Sequence, residues 1–137
     1  YCESLGKELG VYRDPYQYLA SLTWQMHRAI RLVTDAGIHA KGMTREEAIQ
    51  YMMDHEPVTE AVATAEMERY MALPGQAHSY MTGRLKIIAL RNKYERALGD
   101  KFNIIKFHSE LLSGGSMPLK VLEEMMNAWA ARMVNEK

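Results

Sequence analysis

Cysteine occurs once in this 137-residue chain, at Cys2. That excludes an internal disulfide and any zinc site built from several thiolates. Net charge is absent too: 17 basic side chains balance 17 acidic ones. No global field therefore draws the chain to nucleic acid or to an anionic membrane. The most basic stretch, residues 84–101, is diluted by Glu95 and Asp100 and makes a poor phosphate-binding stripe. No apolar run approaches the ~18 residues of a membrane span. No segment alternates apolar and polar residues long enough to make a strand. His55-Glu56 fails as a zinc-peptidase motif, because Pro57 breaks the helix and Thr59 stands where the second His belongs. Gly114-Gly115 lacks the Lys and the preceding strand of a phosphate loop. His27, His78 and His108 show no ligand spacing and read as structural.

What the chain does contain is helical punctuation. Hydrophobic content of 47% and charged content of 25% suit a globular protein with a real core. Asp14-Pro15 is an N-cap followed by proline at the first helical position, and the helix it opens is predicted to reach about Lys41 before Gly42. Thr44 with Glu47 forms a capping box for a helix ending near Asp54. Thr59 opens a helix to about Leu73, and Pro74-Gly75 turns into a long helix from Gln76 to Leu98. Asn103 caps a short helix, and Ser116-Met117-Pro118 starts the last one. The expectation is an all-α, multi-helix bundle of about six helices, residues 1–137 forming one helical domain. The start at Tyr1, with no turn signal before Gly10, reads as a cut through helical material.

One helix carries the candidate chemistry. At about 100° per residue, Arg28, Arg31, Asp35 and His39 fall within an arc of roughly 80°, and Trp24 shares it. Leu19, Leu22, Met26, Ile30, Val33, Gly37 and Ala40 lie opposite and are expected to face the core. The polar arc reads either as a solvated stripe or as a binding surface. On the long fifth segment, Gln76, Tyr80, Gly83 and Arg84 share a face, and the Tyr80 phenol suits a hydrogen-bond donor to a ligand or an ordinary packed Tyr.

Three runs carry a family resemblance: Tyr1-Cys2-Glu3-Ser4-Leu5-Gly6, the stretch Arg28 to His39, and Pro74-Gly75-Gln76-Ala77-His78-Ser79-Tyr80 with Gly83. Gly42 to Ala48 and Ala97 to Phe102 fit as well. Together they resemble the C-terminal part of the bacterial domain-of-unknown-function family 885, whose members resemble helical gluzincin-type zinc peptidases. The resemblance implies a C-terminal lobe of a larger hydrolase that cleaves peptide substrates with zinc. All three protein ligands of that zinc would lie upstream, so this chain would hold no metal or other cofactor and would be inactive alone. Glu3 would stand one step removed from the metal. The resemblance also implies roles: Tyr80 as oxyanion donor, Arg28 or Arg31 on a substrate carboxylate, Asp35 orienting an arginine, Gln76 lining the cleft, and His39 contacting substrate or the donor network. His78 departs from the family pattern. The alternative is a non-catalytic helical module that docks another protein or domain. In either case a lobe cut from a larger protein exposes an apolar patch, through which it can form a homodimer. The compartment, cytoplasm or cell envelope, stays open.

Overall fold

The computed structural model describes residues 1–135. Among them are seven α-helices and no strand: α1 Cys2–Glu8, α2 Pro15–Ala40, α3 Arg45–His55, α4 Glu60–Ala72, α5 Gln76–Leu98, α6 Ile104–Ser113 and α7 Leu119–Asn135. The all-α class is as expected, and the count is one higher because α1 is a helix of its own.

Local chemistry sets the boundaries. The Asp14 carboxylate accepts from Gln17 N, and Gln17 Oε1 accepts from Arg13 N, so both donors at the entry of α2 are satisfied. The capping box at Thr44 is complete in both directions. Thr59 Oγ1 accepts from Val62 N, and Asn103 Oδ1 accepts from Ile105 N and Lys106 N. Gly37, inside α2, marks a close approach. A Cβ there would lie 2.8 Å from Met43 Sδ and 3.3 Å from Met43 Cβ.

The chain divides into two compact units, Tyr1–Thr82 and Gly83–Lys137. The core of the first is Ile30, Ala48, Ile49, Met52, Ala63, Met67, Tyr70 and Ala77. Unbranched Met fills irregular gaps between α2, α3 and α4. The second has an aromatic core in which Tyr94, Phe107 and Trp129 pack with ring centroids 5.8–6.5 Å apart. Burial pushes the Tyr94 phenol up to about 12.

Helix α2 departs from its hydrophobic pattern. Leu19, Leu22, Met26 and Val33, expected in the core, are 58%, 41%, 51% and 42% exposed. Ser21, Arg31, Thr34 and Asp35 are buried instead. Of the expected apolar face, Ile30 and Gly37 alone are buried. Tertiary hydrogen bonds override the amphipathic rule here. Asp35 and Arg31 both find partners near the start of α5, while Thr34 Oγ1 is satisfied inside α2 by donating to Ile30 O. Of the polar arc, Arg31 and Asp35 are buried, Arg28 is half-buried, and Trp24 and His39 are exposed.

Candidate functional site

Asp35 is the most buried member of the arc, at 1% exposure. Its Oδ1 accepts from Gly75 N and its Oδ2 from His78 N, each at 3.2 Å. Pro74-Gly75 supplies no local Ser, Thr, Asp or Asn cap, so α5 takes its N-terminal acceptor from α2. A carboxylate is well placed there, because it meets both the orphan donors and the positive end of the helix dipole. Two imidazoles approach the same carboxylate: His78 Nδ1 at 3.1 Å and His39 Nε2 at 3.5 Å. His39 Nε2 also lies 3.1 Å from Tyr70 O. A carbonyl only accepts, so this nitrogen carries a proton.

One turn toward the N-terminus of α2 lies a second group. The Arg31 guanidinium sits 4.8 Å from the Tyr80 ring centroid and 5.5 Å from that of Tyr70. Its Nη2 donates to Gln76 Oε1 at 3.2 Å, an oxygen that also accepts from Arg69 Nη1 at 3.3 Å. Gln76 Nε2 donates to the Tyr80 hydroxyl at 3.3 Å. The phenol oxygen accepts that bond, which leaves its own proton to be donated outward. Arg28 flanks the group, 5.9 Å from the Tyr80 ring and 5.8 Å from Trp24, and its Nη2 is paired with Glu3 Oε1 at 3.0 Å. Glu3 is held by the packing of α1. Tyr12 Oη donates to Glu3 O at 2.7 Å, and Gly6 admits the phenol, since a Cβ there would lie 2.8 Å from the hydroxyl.

Arg31, Gln76, Tyr80, Arg28 and Glu3 therefore converge, whereas Asp35 and His39 belong to the helix-start cluster. Gln76, not Asp35, accepts the Arg31 hydrogen bond. Arg31 is 8% exposed, its Nε has no hydrogen-bond partner, and none of its partners among the described residues is a carboxylate. A buried guanidinium so placed lacks the counter-charge that buried cations normally have.

A third cluster, around His27, has no local signature in the sequence. His27 Nδ1 lies 2.9 and 3.0 Å from the two oxygens of Glu56, whose side chain is 4% exposed. His27 Nε2 lies 3.8 Å from Glu66 Oε2. The Tyr70 hydroxyl donates to Glu66 Oε2 at 2.5 Å, and Arg69 Nη2 donates to it at 2.6 Å. Burial pushes the Glu66 carboxyl up, but the hydrogen bonds from Arg69 and Tyr70 outweigh it and hold the group below its usual range. Burial, with Glu66 beside it, pushes the Tyr70 phenol well above its usual range. Glu56 and Glu66 are 29 and 39 residues from His27, so no local spacing could reveal them. The missing local cap at Pro74-Gly75 was, by contrast, a usable sign that a distant acceptor is needed.

No group of three or more His, Cys, Asp or Glu side chains that could hold a metal ion occurs among the described residues. The family model described as "Bacterial protein of unknown function (DUF885)" matches residues 1–126. No curated protein matches. A crystal structure described as the "putative lipoprotein from Colwellia psychrerythraea" is similar to this chain, with a TM-score of 0.90 and 44% sequence identity. The match covers 94% of this chain and 22% of that one, so the chain spans about a fifth of the relative's length.

Proposed function

The chain belongs to the bacterial DUF885 family, and from that premise we propose that it forms a peptide-binding wall of a larger zinc-peptidase-like hydrolase and is inactive alone. The observation that carries this reading is Arg31, a buried cation with no carboxylate partner among the described residues. A substrate carboxylate would supply the missing charge, and a guanidinium can hold it through two parallel hydrogen bonds. Arg28, already paired with Glu3, lies beside it as a second cation. Tyr80 is 47% exposed and receives the Gln76 hydrogen bond. Its free proton suits it to stabilise a developing oxyanion. The described residues do not assemble a metal site. The part proposed for this chain is to bind, to orient and to donate a hydrogen bond.

In this reading Asp35 and His39 are positioning residues. Asp35 fixes the start of α5, and with it Gln76 and Tyr80, while His39 holds the Asp35 carboxylate against Tyr70 O of α4. A further part of the proposal is that the rest of the polypeptide covers the exposed Leu19, Leu22, Met26 and Val33 stripe, which a second copy would cover in the isolated chain. The length of the Colwellia relative supports this, and its description as a lipoprotein supports a place in the cell envelope.

A second reading, a docking module without catalysis, draws support from the largely self-satisfied polar arc. Peptide hydrolysis by the intact polypeptide separates the two. Tyr80→Phe is expected to lower kcat by about 100-fold with stability unchanged. Normal turnover in that variant would remove Tyr80 from the chemistry, and no turnover of any peptide by the wild type would favour the module.

A further inference from the structure

A cavity of about 280 Å3 opens between α2, the α3–α4 connection and α4, lined in part by Trp24, His27, Glu56, Val58, Val62 and Glu66. No Lys or Arg lines it. The Glu56 carboxylate can only accept hydrogen bonds, so the proton on His27 Nδ1 is donated to it, and this fixes the tautomer. In the neutral imidazole, Nε2 is then an acceptor, directed toward Glu66 across 3.8 Å. That distance is too long for a hydrogen bond. The polar end of the cavity thus presents a ring nitrogen and two carboxylates, of which Glu66 is paired through Oε2 with Arg69, a residue outside the lining. Its other walls are apolar: Val58, Val62 and the 57% exposed Trp24, whose ring meets His27 edge-on at 5.6 Å.

We propose that this cavity is a binding site for a small protonated primary amine with an apolar body. The ammonium N–H groups would bridge His27 Nε2 and Glu66, and the apolar part would rest between Trp24 and the two valines. Charge complementarity selects the cation, since the two carboxylates, Glu56 and Glu66, outnumber the single guanidinium, Arg69, which pairs with Glu66. An anion would face both carboxylates. The volume limits the ligand to about the size of an arylalkylamine. The inference does not depend on peptidase activity or on Arg31, because none of its groups belongs to the Arg31–Gln76–Tyr80 cluster.

The test uses the 137-residue chain, 2-phenylethylammonium as probe and 3-phenylpropanoate as its anionic counterpart, read by the indole N–H resonances of Trp24 and Trp129. The amine is expected to shift Trp24 saturably below about 10 mM, to leave the buried Trp129 unmoved, and to bind at least about tenfold tighter than the anion. Val62→Arg, at a 48% exposed position, puts a cation at the cavity and is expected to weaken the amine at least about tenfold. Glu66→Gln is expected to weaken it about fivefold or more, with the fold checked by circular dichroism. No saturable shift in the wild type, equal binding of the anion, or undiminished binding by Val62→Arg would each overturn the assignment.

Discussion

The two units bury different chemistry. The interior of Gly83–Lys137 is apolar and aromatic, built on Tyr94, Phe107 and Trp129. The interior of Tyr1–Thr82 contains Ser21, Arg31, Thr34, Asp35 and Glu56, which are all the buried polar and charged side chains among the described residues. Aromatic packing gains free energy from area and needs no special partner. Buried charge stabilises a fold only when each group is matched, and replacing it with hydrocarbon is often neutral or better. A unit that keeps three such charges, Arg31, Asp35 and Glu56, is shaped by something other than stability. The candidate chemistry lies in that unit.

The contrast can be broken by substitution. The largest effect is expected in the aromatic unit: Trp129→Ala should cost about 3–5 kcal/mol, because the surrounding rings cannot close the cavity it leaves. Denaturant titration would check this, and a loss below about 1 kcal/mol would show that the aromatic core is loosely packed. In the polar unit Asp35→Ala should cost about 3 kcal/mol, since it orphans Gly75 N and His78 N and leaves two histidines without their carboxylate. Asp35→Asn should recover part of that loss by keeping one acceptor. The smallest effect belongs to the exposed apolar face of α2. Leu22→Lys should change stability by less than about 0.5 kcal/mol, whereas a loss near that of Trp129→Ala would mean that Leu22 is covered in solution.

Much of the fold was legible because helix ends are local. Asp14, Thr44, Thr59 and Asn103 each cap the helix that their identity announces. The orientation of α2 was not legible. Periodicity reports which face is apolar, and the core was assumed to take it, but Asp35 caps a helix that begins 41 residues later. Tertiary capping, like the pairing of His27 with Glu56, depends on which elements meet in space. For the candidate site, the sequence brought out Arg31, Gln76 and Tyr80 as residue types on suitable faces. It could not indicate that Gln76 links the other two, or that Asp35 caps α5 instead of accepting from the arginine.

Arg31 offers the most direct measurement: Arg31→Met, followed by stability and by affinity for a peptide with a free C-terminal carboxylate, with its amide as control. If the guanidinium is kept for a ligand's charge, stability should stay within about 1 kcal/mol of the wild type or rise. Binding of the carboxylate peptide should fall at least about tenfold, to the level of the amide. A loss of 3 kcal/mol or more with peptide binding unchanged would contradict this and make Arg31 part of the scaffold.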